Sequence, residues 1–138
     1  MKHCAAGFGS CCVFRDSCYG EVDQKVAYFT NPSFPLPDRS PNYCTYTIKV
    51  TDPDICQVRM DFLSFRISGP SLTNPTPPYG KCQNDRMAVF SRVPDLGLSE
   101  GNLICGDMSG QHIYVPGLAR IYHIFPLFHS IFSIYRHF

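Results

Sequence analysis

Three features of the sequence predict an all-β fold of two antiparallel sheets, a β-sandwich or jelly roll stapled by disulfides. Apolar and polar residues alternate in short runs, Pro and Gly punctuate those runs, and eight cysteines are spread along 138 residues. The clearest run is CTYTIKV, where Cys44, Tyr46, Ile48 and Val50 alternate with Thr45, Thr47 and Lys49, the period of a strand with one buried face. The run CQVRMDF repeats the pattern, with Cys56, Val58, Met60 and Phe62 on one side and Gln57, Arg59 and Asp61 on the other. Thr51-Asp52-Pro53-Asp54 joins the two, which predicts an antiparallel hairpin whose apolar face a second layer must cover.

After Phe62 the phase slips, so that Leu63, Phe65 and Ile67 carry the alternation and a bulge or bend is expected. Upstream, VAYF reads as a strand. NPSFPLPDRSPNY is a Pro-rich turn region that cannot be a central strand, with Phe34 and Tyr43 expected over the sheet edge. Downstream, SGPSLTNPTPPYG is an exposed loop, RMAVFSR a strand with Met87 and Val89 in phase, VPDLGLSEGN a turn, and LICG and HIYV two short strands.

The chain divides by composition. Residues 1–14 are a short cysteine-rich piece with no core of its own, residues 15–115 carry the strand pattern, and residues 116–138 contain no Asp, Glu, Cys, Thr or Asn. That last stretch is expected to be a tail outside the fold, read from a shifted frame or an intron, which leaves the sandwich incomplete. A terminal strand pair and an interfacial anchor between Arg120 and Arg136 rank behind that reading. Its apolar runs, broken by His123, Pro126 and His129, are too short for a membrane span, and membrane contact is not expected.

A net charge of +1 with interspersed signs excludes the electrostatic footprint of a nucleic-acid binder. One domain fits the length. The cysteines show no C-x-x-C pair and no His at finger spacing, so a disulfide framework is expected rather than zinc. Such a framework belongs outside the cytosol, although MKHCAAGFGSCC lacks the apolar segment of an export signal; an upstream segment is therefore expected. Gly106-Asp107-Met108-Ser109-Gly110 echoes a serine-protease nucleophile, but Met108 interrupts it and no triad setting precedes it, so Ser109 is expected in a turn. His112 is expected to be an ordinary strand histidine. No catalytic, cofactor-binding or metal residue is assigned.

Cys18 followed by Gly20, NPSFP at 31–35, the Tyr-Cys-x-Tyr-x-Ile start of a strand, CQVRMDFLSF, Cys82-x-x-Asp85 and Ile104-Cys105-Gly106 occur in the order of a CUB domain, which residues 4–115 resemble. The resemblance is closest to CUB proteins secreted by insects, where C-V-F, D-I-C-Q-x-R-x-D-F and G-Q-H-x-Y-V recur. It implies a two-sheet antiparallel jelly roll that serves as a secreted, non-catalytic module binding an extracellular protein or glycan, here expected through loops 68–81 and 91–102. The alternative is the non-catalytic arm of a secreted protease.

The same resemblance implies that Cys18 pairs with Cys44 and Cys82 with Cys105, each bridge stabilising by roughly 3–4 kcal/mol on the chain-entropy model. Cys56 is left with Cys4, Cys11 and Cys12, and either bridges Cys11 or Cys12 or stays a small thiol in the core. Calcium-binding CUB domains use a Glu, the Asp of Cys-x-x-Asp and a later Asp. This chain keeps Asp85, has Ser68 near the Glu position, and offers one carboxylate where Ca²⁺ wants six to eight oxygens, so no metal is expected.

Overall fold

The structure is a computed structural model that describes residues 3–4, 9–10, 12–38, 43–70, 80–91, 103–116, 119–124 and 129–137. In chain order the strands are β1 (His3–Cys4), β2 (Gly9–Ser10), β3 (Arg15–Asp16), β4 (Glu21–Val22), β5 (Val26–Thr30), β6 (Tyr43–Ile48) and β7 (Gln57–Arg66). They are followed by β8 (Arg86–Ser91), β9 (Leu103–Ile104), β10 (His112–Pro116), β11 (Ala119–Ile124) and β12 (His129–His137). Two five-stranded sheets form the sandwich, one ordered β10-β7-β12-β5-β3 and the other β4-β6-β11-β8-β9, while β1 and β2 pair separately. Pairing is antiparallel except at two edges, where β3 runs parallel to β5 and β4 parallel to β6.

Alternation decides which residues face inward. Cys44, Tyr46 and Ile48 of β6 are buried, as are Val58, Met60 and Phe62 of β7. The Phe29 ring of the first sheet meets the Tyr46 ring of the second edge-on, with centroids 5.2 Å apart, so this pair ties the layers at the centre of the core.

The alternation does not decide neighbours, and here the hairpin expectation is corrected. β6 and β7 lie in different sheets. Residues 49–56 between them are long enough to cross the roughly 10 Å separating packed layers, so the two apolar faces meet across the core instead of side by side.

The slip after Phe62 is a bulge. Ser64 and Phe62 pair with the consecutive residues Ile131 and Phe132, which leaves Leu63 unpaired. Leu63 is 56 % exposed, contrary to its expected place in the inward series, whereas Phe65 and Ile67 are buried. Phe62 and Phe65 remain in ring contact across the bulge, centroids 4.9 Å apart.

Residues 116–138, expected outside the fold, supply the middle strand of each sheet. β11 runs between β6 and β8, with Ile121 opposite both Tyr46 and Val89, and β12 runs between β7 and β5. ARIYHI and HSIFSIYRH are rich in β-branched and aromatic residues, the types that suit a pleated surface. A sheet lacking its middle strand would leave two rows of backbone groups unpaired, so those positions are the ones a sandwich fills first.

Candidate functional site

The two disulfides among the described residues serve the second sheet. Cys18 and Cys44 bond with Cα atoms 4.9 Å apart beside β4, and Cys82 and Cys105 bond with Cα atoms 5.8 Å apart beside the β8–β9 pair. β4 and β9 have two residues each, too few to hold an edge by ladder bonds alone, so each bridge pins the strand that most needs it. The Cys18 side is reinforced by backbone bonds from Tyr19 N to Thr45 O (2.6 Å), Thr47 N to Gly20 O (3.0 Å) and Lys49 N to Val22 O (2.8 Å).

Cys56 does not follow its expected phase. It precedes β7, is exposed, and carries a free thiol, as does exposed Cys12. Cys56 stands before Gln57, the first paired residue of β7, and outside the strand alternation no longer fixes burial. β12 and β5 also stand between β7 and β3, the strand that follows Cys12; three strand spacings amount to roughly 14 Å, beyond disulfide reach. Cys11 and the side chain of Cys4 fall outside the described residues, and so do most of the two loops expected to bind, at 71–79 and 92–102.

Asp85 is 3 % exposed, and its Oδ2 accepts the Ser68 N–H at 2.8 Å. The carboxylate that the resemblance places near a calcium site therefore caps the end of β7. Among the described residues no three His, Cys, Asp or Glu side chains converge on a point that would hold a metal. The neighbouring loop is held by the same logic. Gly106, with a φ of 85°, turns the chain after Cys105 so that Gly106 N bonds Ser68 O (3.2 Å) and Ile67 N bonds Gly106 O (3.2 Å). Asp107 then meets Arg66 Nε at 3.0 Å and accepts the Ser109 N–H at 3.0 Å. Hydrogen bonding from Ser109, first through its side chain and then its backbone, holds the Asp107 carboxyl below its ordinary value, with Arg66 adding a smaller pull.

Ser109 is a turn residue whose Oγ accepts the Phe65 N–H at 3.0 Å. The same hydroxyl lies 3.4 Å from the Phe65 carbonyl, so it is tied to the end of β7 through both backbone groups of Phe65.

The built feature that the sequence did not announce lies on the solvent face of the first sheet. Arg59 donates from Nε to both Asp61 oxygens (3.1 and 3.0 Å) and from Nη2 to Oδ1 (2.7 Å), a fork that fixes the guanidinium. The Asp61 hydrogen bond raises the Arg59 pKa above its ordinary value. From that position Nη1 donates to the Tyr114 hydroxyl at 3.2 Å, and Cζ sits 5.7 Å from the Tyr114 ring centroid. His112 packs edge-on against the same ring, centroids 5.5 Å apart. Register explains the cluster: His112 stands opposite Asp61 and Tyr114 opposite Arg59. Tyr114 remains 46 % exposed, a rigid aromatic presented to solvent beside an oriented cation. The available signal was the solvent phase itself, Arg59 and Asp61 on one strand and His112 and Tyr114 on the other.

Solved structures that share this architecture include CUB domains. The calcium-bound CUB2 domain of MASP-1 matches with a TM-score of 0.58 and 18 % identity over 86 % of this chain and 98 % of its own. The chain has a CUB-like fold. The CUB1-EGF-CUB2 segment of human MASP-1/3 matches at TM-score 0.60 and 20 % identity over 98 % of this chain and 53 % of its own. The extracellular region of zebrafish Gpr126/Adgrg6 matches at 0.62 and 19 % over 88 % and 15 %. No family model and no curated protein matches the sequence.

Proposed function

We propose that this chain is a secreted, non-catalytic CUB-type binding module that engages an extracellular protein through the Arg59–Tyr114–His112 face. The observation that carries the reading is the preorganised cluster: Tyr and Arg dominate binding hot spots, and both are held here in one geometry, so little side-chain entropy remains to be lost on contact. Two disulfides in the described framework support an oxidising, extracellular setting, as does the resemblance of the sequence motifs to those of secreted CUB proteins. Residues 1–14 are proposed as the end of a cysteine-rich segment. The boundary between residues 115 and 116 is proposed as a change of composition within a continuous sandwich.

The test is binding of purified, oxidised protein to arrayed extracellular proteins and glycans, with Arg59→Ala/Tyr114→Ala as comparison. The reading expects a protein ligand held by the parent and lost by the double variant. Equal binding by both, glycan ligands alone, or hydrolytic turnover would contradict it. A second reading, the non-catalytic arm of a secreted protease, draws on two of the matched structures being longer than one such module, this chain spanning 53 % and 15 % of them. Transcript sequence downstream of this chain that encodes a catalytic domain would favour it.

A further inference from the structure

At the side of the sandwich where β3 and β4 form the edges of opposite sheets, a groove of about 160 Å³ opens between them. Phe14, Val22 and Tyr46 make its apolar walls and floor. Asp16, Glu21 and Asp23 stand around it, all exposed, against one lining cation, Arg15, whose guanidinium is stacked 5.9 Å from the Phe34 centroid. The volume is below the roughly 300–1,000 Å³ of small-molecule sites, which suits one long side chain instead of a whole ligand.

Resting on the binding-module reading, we propose that this groove receives a lysine side chain of the extracellular protein partner. Charge complementarity selects the occupant. An aliphatic stem lies against exposed Phe14 over a floor of buried Val22 and Tyr46, and an ammonium with three donors meets Asp16 and Asp23 beside Glu21, which is paired with Lys49. Glu21 already accepts such a group from within the chain, the Lys49 ammonium at 2.5 Å. The Asp16 carboxylate is held in place by the Ser17 N–H at 2.8 Å and by the absence of a side chain at Gly20, where a Cβ would come within 2.1 Å of Asp16 Oδ2.

The test titrates N-acetyl-lysine amide into the isotopically labelled oxidised protein, with N-acetyl-norleucine amide as the uncharged isostere, and follows the backbone amides of Val22, Gln24 and Tyr46. The lysine probe is expected to shift them saturably, more weakly as salt rises, while norleucine does not. Glu21→Gln/Asp23→Asn should weaken the probe by about tenfold or more, and Phe14→Ser should weaken it without altering the rim charge. Amides that stay still, equal shifts with norleucine, or unchanged affinity in both variants would overturn the proposal. Failure here with the partner still lost by Arg59→Ala/Tyr114→Ala removes the groove alone; saturation of the groove supports it whether or not a partner has been captured.

Discussion

The Phe65 N–H is accepted by a side chain, Ser109 Oγ at 3.0 Å, at a point flanked by backbone bonds from Gly110 N to Phe62 O (2.7 Å) and from Met108 N to Phe65 O (3.0 Å). One hydroxyl thus continues a ladder that loop 106–111 cannot complete with carbonyls. Ser109→Ala leaves a partly buried N–H without its acceptor, and the expected loss is about 1–3 kcal/mol. Urea unfolding should show a lower midpoint with an unchanged m-value, and a Ser109→Ala protein as stable as the parent would contradict the assignment.

Asp85 carries the same kind of duty on the other side of β7. Asp85→Ala removes the acceptor of the Ser68 N–H in a buried setting and should cost roughly 1–3 kcal/mol, whereas calcium at millimolar concentration should leave the Tm of the parent where it was. A calcium-dependent rise in Tm that Asp85→Ala abolishes would show the carboxylate to be a ligand.

Much of this was legible in the sequence, and the parts that were not share a cause. Alternation in 44–50 and 56–62 reports which residues face inward, and Cys44, Tyr46, Ile48, Val58, Met60 and Phe62 are all buried. It carries no information about lateral neighbours, which is why β6 and β7 looked like a hairpin although they face each other across the core. Cys56 shows the second limit, since a period extrapolated beyond the strand's end predicts burial for a residue that is exposed. The Arg59–Tyr114 contact spans 55 residues, and only the pairing of β7 with β10 creates it. Residues 119–124 and 129–137 were set aside on composition, which is blind to a vacancy left for a middle strand by the others.

The Asp107 carboxyl, held below its ordinary value of 3.8, stabilises the folded loop in one direction of pH only. Its contribution is fully present above that ordinary value and is lost as pH falls through the lowered folded value, because protonation removes the charge that Ser109 and Arg66 stabilise. A carboxyl titration by NMR should find Asp107 below its ordinary value, and Asp107→Asn should flatten that part of the acid stability curve. An Asp107 midpoint at or above the ordinary value would contradict the hydrogen-bonding account.

Tyr114 separates binding from stability. Its ring is half in solvent, so Tyr114→Ala should change folding stability by no more than about 1 kcal/mol, while affinity for the protein partner falls by about tenfold or more, as for a hot-spot residue. Thermal unfolding and surface-binding kinetics on one preparation measure both quantities. A variant that unfolds early but binds normally would make the cluster a structural feature of the sheet.

The claim beneath the whole account is a sandwich whose second sheet is closed by a disulfide beside each of its two-residue edge strands, β4 and β9. Peptide mapping of natively produced protein, alkylated without prior reduction, tests it directly. The account predicts linked peptides joining Cys18 to Cys44 and Cys82 to Cys105, with Cys56 outside both bridges. Recovery of those four cysteines as alkylated thiols, or in any other pairing, would contradict it.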